Sequence, residues 1–254
     1  MSDFNDLDRP LGPEKNTGSI ISHAWENYKG VIGYGILFAL LVYLFEFLLS
    51  LLFPESPLNP KMIREIIDAS KTNDVNSIKD IIEANKGTGL GRMAVSFIPS
   101  FLSKVLLFPL SAGLLYITHK YNTRQNLLFS DFFVGYRQNT ANLLLYGLVI
   151  HVLANIGIVL CVLPGIYMYI VGFVGLPFVF FGNKNVSDGL NVSFNATNQN
   201  FGLVLGTAIL AGLISISGFL LCCVGVFITK SFFIVASYSL YCALFGSPYE
   251  VENA

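Results

Sequence analysis

Forty consecutive residues, from Leu143 to Gly182, carry one His and one Asn as their only strongly polar side chains. An α-helix rises about 1.5 Å per residue, so roughly 20 apolar residues cross the hydrocarbon core of a bilayer. This run is therefore too long for one membrane span and suits two. Pro164 and Gly165 lie near its middle. Because both residue types disfavour a helix interior, we predict a helical hairpin that turns at this pair.

A second run of double length, from Phe201 to Phe245, predicts another hairpin, with Gly225 at its turn. Composition agrees, since 54% of the residues are hydrophobic and 12% charged, against roughly 45–50% and 25% in soluble domains. We predict an all-α, polytopic transmembrane helical bundle over residues 18–246, between a flexible polar N-terminal tail (1–17) and a C-terminal tail (247–254). The six spans are expected at about 30–53, 93–118, 140–163, 166–182, 201–223 and 227–246.

A short amphipathic segment precedes each pair of spans, at residues 17–30, 127–139 and 185–200. Ser-Asp recurs at Ser130-Asp131 and at Ser187-Asp188, where it could begin or cap a helix. This order predicts three copies of interfacial helix, span, turn and span. The alternative is that the segments are the aromatic-rich belts found in any polytopic protein.

Residues 54–92 interrupt this plan as an extramembrane insertion that reads as two short amphipathic helices. Asn59-Pro60 would open the first helix, Asn73 or Asp74 would start the second, and Gly87 would end it. Six basic and six acidic residues balance the charge of the segment. It is either a solvated helical pair over the membrane surface or a docking surface for another protein.

The order "SDFFVGYRQN", "LLLYGLV" and "LCVLPGIY", followed by "SDGLNVSFNATNQNFG", "SGFLLCCVG" and "ASYSLY", resembles a group of uncharacterised six-span bacterial integral membrane proteins. That group is related to the membrane domain of some glycerophosphodiester phosphodiesterases. The resemblance covers roughly residues 19–246 and rests on pattern. It implies a membrane-embedded module of undefined activity and brings no catalytic residues with it.

Basic residues close to span ends favour the cytoplasmic side of a membrane. With the N-terminus inside, each side would hold seven Lys and Arg residues, so the totals do not decide. The 54–92 insertion is charge-balanced, however, whereas Lys120, Arg124 and Arg137 lie near span ends. We therefore predict a multi-pass protein of the bacterial cytoplasmic (inner) membrane with a cytoplasmic N-terminus.

Four polar side chains within or beside the spans form a candidate intramembrane site: Glu46, Lys104, His151 and Asn155. A carboxylate in lipid costs several kcal/mol unless it is neutralised or paired. Glu46 is thus either a proton or cation site, paired with Lys104, or an interfacial group near the end of its span. His151 and Asn155 are four residues apart and share a helix face. They would line a polar path or form hydrogen bonds across helices as packing contacts.

No enzyme chemistry is predicted from the residue types present. The net charge of −1 argues against a nucleic-acid partner. The sequence has no Cys-x-x-Cys pair and no glycine-rich phosphate loop, and its three His residues (His23, His119 and His151) are scattered. We predict no catalytic, cofactor-binding or metal-ligating residue.

The remaining function classes are non-enzymatic. The leading prediction is an accessory or assembly subunit of a membrane complex, with the lipid bilayer around it and a protein partner at the 54–92 insertion. The alternative is a transporter of a small molecule, ion or lipid along a polar path through the bundle. A lipid bound between spans is a further predicted partner.

Overall fold

A computed structural model describes residues 12–52, 67–71, 80 and 101–248 of the chain, apart from the side chains of 220–224. These residues form helices and turns, with no strand among them, which confirms the all-α prediction. The elements are α1 (Thr17–Leu52), α2 (Phe108–Asn122), a 3-10 helix (Phe129–Tyr136), α3 (Thr140–Leu160), α4 (Val162–Phe181), α5 (Val186–Gln199), α6 (Phe201–Ser217), a second 3-10 helix (Gly218–Leu221), α7 (Cys222–Thr229) and α8 (Phe232–Phe245).

Five helical stretches of the described chain are long and apolar enough to cross a membrane: Thr17–Leu52, Phe101–Asn122, Thr140–Leu160, Val162–Phe181 and Gly225–Phe245. The amphipathic α5 and the apolar α6 pass the same test together, with a bend of 99° between them, and give a sixth. By length and composition the protein is therefore a polytopic transmembrane helical bundle, as predicted.

The chain forms two compact units, residues 1–42 with 104–254, and residues 43–103. Of the second unit, the structure describes the end of α1, a helical stretch at residues 67–71, Asp80 and residues 101–103. Lys71 pairs with Asp68 at 3.0 Å on an exposed surface of that stretch. The rest of the predicted helical pair at 54–92 lies outside the described residues.

α1 is one continuous helix of 36 residues. The boundary predicted near residue 30, between an interfacial segment and the first span, is therefore absent. Gly30 does not break the helix, although glycine is less favourable there than alanine by roughly 1 kcal/mol. A Cβ at Gly30 would overlap the ring of Tyr121, so this glycine allows α2 to approach α1 closely.

The first hairpin turns three residues earlier than predicted. α3 ends at Leu160, Cys161 is extended (φ −167°, ψ 139°), and α4 begins at Val162. Pro164 and Gly165 thus lie in the first turn of α4, and the prediction that they form the turn was wrong. Pro164 is tolerated there because the first N–H groups of a helix have no helical partner.

Gly165 serves close packing within this hairpin. It faces Gly157 of α3, where a Cβ would lie 2.7 Å from the backbone nitrogen of Gly165. Cβ atoms do not come that close to backbone without a shift of one helix. The two glycines therefore set how near α3 and α4 lie at the end next to the turn.

The second hairpin repeats this arrangement with other residues. Its chain reverses through the 3-10 helix after α6, and Gly225 lies inside α7, so the prediction of a turn at Gly225 was wrong. A Cβ at Gly218 would overlap the carbonyl group of Gly225. The Thr229 hydroxyl donates to the Ser215 carbonyl at 2.7 Å, which fastens α7 to α6.

α4 is the central helix of the first unit. Ile170 to Pro177, Val179 and Phe180 are buried in it. α3 covers one side, and its own outward face is a row of exposed apolar side chains suited to lipid. That row comprises Leu145, Leu148, Val152, Leu153, Ile156, Val159 and Leu160.

Pro177 lies inside α4 and has no N–H with which to bond the carbonyl of Phe173, four residues earlier. The hydroxyl of Ser237 on α8 donates to that carbonyl at 2.6 Å. A backbone group left open by proline inside an apolar bundle is thereby satisfied by a neighbouring helix.

The 3-10 helix Phe129–Tyr136 packs along α2 at two glycines. A Cβ at Gly113 would overlap the carbonyl of Phe132, and a Cβ at Gly135 would overlap that of Pro109. The Tyr136 hydroxyl donates to the Leu106 carbonyl at 2.7 Å, just before the helix break at Leu107. A tyrosine hydroxyl carries its proton at neutral pH, and burial raises the pKa of Tyr136 further from that range.

Candidate functional site

A polar cluster joins α1, α2 and α8 inside the first unit. Both ring nitrogens of His23 on α1 are engaged. Nδ1 lies 2.9 Å from the hydroxyl oxygen of Ser239 on α8, and Nε2 lies 3.2 Å from Oδ1 of Asn122 on α2. Asn27, one turn along α1, donates its amide to the His23 carbonyl at 3.0 Å. One imidazole therefore links three helices.

The network continues from Asn122 to a second imidazole. The Asn122 amide nitrogen donates to the Tyr238 hydroxyl oxygen at 3.2 Å, and that hydroxyl lies 3.0 Å from Nδ1 of His119. Because Oδ1 of an amide only accepts, Nε2 of His23 is the donor toward Asn122. The Tyr238 hydroxyl accepts from Asn122 and also meets Nδ1 of His119, where the donor depends on the tautomer of the ring.

The surroundings of the cluster are aromatic and mostly dry. His119 and Tyr238 are buried, and the His119 ring meets the edge of Phe181 at a centroid distance of 5.4 Å. His23 is half-buried. Polar groups that leave water need partners, and here they find them across helix boundaries. The cluster therefore holds the ends of α1 and α2 against the middle of α8.

A buried ion pair lies next to this cluster in sequence. The ammonium of Lys120, at the end of α2, is 2.8 Å from the carboxylate of Asp131 in the 3-10 helix. Asp131 Oδ2 also accepts the backbone N–H of Leu128 at 2.9 Å. Both side chains are only 11% exposed, so this pair fixes the loop that leaves α2.

Two of the predicted site residues, His151 and Asn155, form their hydrogen bonds within α3. Nδ1 of His151 lies 2.7 Å from the Gly147 carbonyl, and the Asn155 amide donates to the His151 carbonyl at 2.6 Å. These bonds stay in one helix, whereas the alternatives predicted from the sequence were a polar path and hydrogen bonds across helices. The contacts of His151 with other elements are aromatic, with Phe108 and Tyr169 at centroid distances of 6.1 and 6.0 Å.

The other two predicted residues are Glu46 and Lys104. Glu46 is half-buried and belongs to the second compact unit. Lys104 is exposed and is the first residue of the 104–254 segment of the first unit. Their pairing remains a prediction. His151 packs against the ring of Phe108, which lies four residues after Lys104, so these two predicted residues belong to the same region of the first unit.

The cluster around His23 and His119 was missed in the sequence, where the histidines were treated as scattered. A signal was available in the spacing. His23 and Asn27 are four residues apart, and His119 and Asn122 are three apart, so each pair shares a helix face. The pairing of those faces depends on tertiary packing.

No protein-family model, no curated protein and no solved structure matches this chain. The resemblance to six-span bacterial membrane proteins therefore remains a prediction. Within the part of the chain that the structure describes, no group of three His, Cys, Asp or Glu side chains could hold a metal ion.

Proposed function

We propose that this protein is a non-enzymatic accessory or assembly subunit of a membrane complex. One observation carries the proposal. His151, Asn155 and the cluster around Tyr238 bond within their own helix or to a neighbouring helix. Such groups hold helices together. These contacts hold the helices of the first unit together, and the 54–92 insertion is the proposed contact with a protein partner.

The proposal also includes the identity of the membrane, the orientation of the protein in it and the repeat architecture. The membrane is the cytoplasmic (inner) membrane of a bacterium, and the N-terminus lies in the cytoplasm. The three-copy architecture is also proposed. It is supported by the two hairpins, each closed by a pair of facing glycines, Gly157 with Gly165 and Gly218 with Gly225.

Purification from native membranes in a mild detergent tests this function. Mass spectrometry of intact complexes should find one protein partner in stoichiometric amount. A matched variant in which a Gly-Ser linker replaces residues 56–90 should still insert and should lose that partner. Recovery of the full-length protein alone would contradict the proposal.

The alternative function is a transporter of a small molecule, ion or lipid. Lys104 and His151 support it, because an exposed lysine four residues before Phe108, whose ring packs on His151, could border a polar path. Proton flux into proteoliposomes, driven by a potassium gradient with valinomycin, would distinguish the two functions. Flux that falls in Glu46→Gln and in His151→Phe, but not in the exposed control Ser217→Ala, would support the transporter.

A further inference from the structure

The outward face of α5 is polar along its whole length. Six side chains on it are exposed, and their spacing of three to four residues puts them on one side of the helix. The face is rich in carboxamides and contains no cation. It comprises Ser187, Asp188, Asn191, Asn195, Asn198 and Gln199.

α5 runs alongside the apolar hairpin of α3 and α4. A Cβ at Gly189, near the start of α5, would meet the side chain of Val179, near the end of α4. The Ser193 hydroxyl lies 3.1 Å from that of Tyr146 on α3. Near the end of α5, Asn198 Oδ1 accepts the Tyr167 hydroxyl at 2.7 Å. α5 is therefore antiparallel to α4.

The contact with Tyr167 shows how far the polar helix reaches. Tyr167 is six residues beyond the turn at Cys161, and α4 ends at Phe181. At 1.5 Å per residue, the contacts of α5 extend over about 20 Å of a helix roughly 30 Å long. α5, with its polar outward face, therefore packs along about two thirds of α4, a helix that is long enough to span the bilayer.

α3, the other helix of the hairpin, has an apolar outward face. The exposed row on α3 that begins at Leu145 and ends at Leu160 is entirely apolar. Side chains of the α5 face would each lose several kcal/mol of hydration if hydrocarbon covered them without hydrogen-bond partners. Lipid suits the α3 row, and water suits the α5 face.

We propose that water contacts the outward face of α5 along its full length, so that a hydrated cleft beside the α3–α4 hairpin reaches the level of Tyr167. Lipid then covers the outward face of α3 and water the outward face of α5, while the two helices contact each other and α4 on their inner sides. This assignment does not depend on whether the protein has a partner subunit.

Cysteine labelling in sealed membranes tests the proposal. In a background without the native cysteines, single cysteines replace Ser187, Asn191, Asn195 and Asn198, and the matched lipid-facing controls are Leu145→Cys, Leu153→Cys and Ile156→Cys. A membrane-impermeant maleimide should label all four α5 positions within about tenfold of the rate at exposed Lys184→Cys, because an accessible thiolate reacts. The α3 positions should react at least about 100-fold more slowly, since a thiol in lipid stays protonated and hidden.

Rates at Asn195→Cys and Asn198→Cys that fall to those of the α3 controls would overturn the proposal, whether lipid or another protein covers the face. A second measurement needs no cysteine. Asn195→Asp should insert and accumulate like the wild type, whereas Leu153→Asp should not. Equal losses in both variants would also overturn it.

Discussion

Ser237 illustrates how one hydroxyl can compensate for a proline inside a spanning helix. Pro177 leaves the Phe173 carbonyl without its helical donor, and Ser237 supplies a donor from α8 at 2.6 Å. Sequence alone shows the proline and therefore the carbonyl in need. It does not show which serine donates the hydrogen bond to this carbonyl, because that depends on how α8 packs against α4.

Ser237→Ala should destabilise the folded protein by about 1 kcal/mol, because the buried carbonyl of Phe173 then has no donor. The free energy of unfolding in mixed micelles with increasing SDS measures the effect. Ser217→Ala is the matched control, since the exposed Ser217 hydroxyl bonds only to the Ile214 carbonyl of its own helix. Equal losses in both variants would show that the contact contributes nothing specific.

Lys120→Met should be more harmful than Ser237→Ala. It leaves the buried carboxylate of Asp131 without its cation, and loss of one partner of a buried pair costs about 3 kcal/mol or more. The double variant Lys120→Met, Asp131→Asn should recover much of that loss, because no buried charge remains and Asn can still accept the Leu128 N–H. The same unfolding measurement applies. A double variant as unstable as Lys120→Met would contradict this reading of the pair.

At the scale of elements, the apolar runs predict that hairpins exist, but they misplace the turns. Pro164 and Gly165 suggested a turn because both disfavour helix interiors. The first turn of a helix tolerates proline, however, and a glycine in a hairpin can serve close packing instead. The chain reverses at Cys161, which has no turn propensity of its own. The position of a turn between two apolar helices thus depends on the contact between them.

Gly157→Ala should destabilise the first hairpin by about 1–3 kcal/mol, because its methyl group would overlap the backbone at Gly165 and push α3 from α4. Gly212→Ala is the control. Gly212 lies inside α6, no atom beyond its own helix backbone lies within 4 Å of its Cβ position, and alanine favours helix. The melting temperature in detergent should fall in the first variant and stay or rise in the second. A stable Gly157→Ala protein would mean that the close approach is dispensable.

At the scale of the whole molecule, composition predicts the helical class and several apolar helices long enough to span a membrane, and the described chain has five of these, or six if the bent pair of α5 and α6 is one span. The candidate site was less accessible to sequence reasoning. His23, His119 and Tyr238 are separated by long stretches of chain, and only the packing of α1, α2 and α8 brings them together. Glu46 and Lys104 attracted attention because of their charge, which says little about their neighbours.

Two pairs of spans, α1 with α2 and α3 with α4, should each bring the chain back to its starting side, which predicts one common side for three exposed positions. Lys15→Cys, Gln125→Cys and Lys184→Cys should all be labelled by an impermeant maleimide from the cytoplasmic side of inverted vesicles, and none from the outside of intact cells. Permeabilised cells give the control for total reactivity. Labelling of any one position from the opposite side would contradict an even number of crossings between them.

The burial of α4 has a mechanical consequence. The outer faces of α3 and α6 carry exposed apolar side chains suited to lipid, whereas the part of α4 from Ile170 to Phe180 is buried among its neighbouring helices. A thinner or more tense bilayer would therefore strain the outer helices first and reach this part of α4 through them. The buried part of α4 is therefore shielded from changes in the thickness and tension of the bilayer.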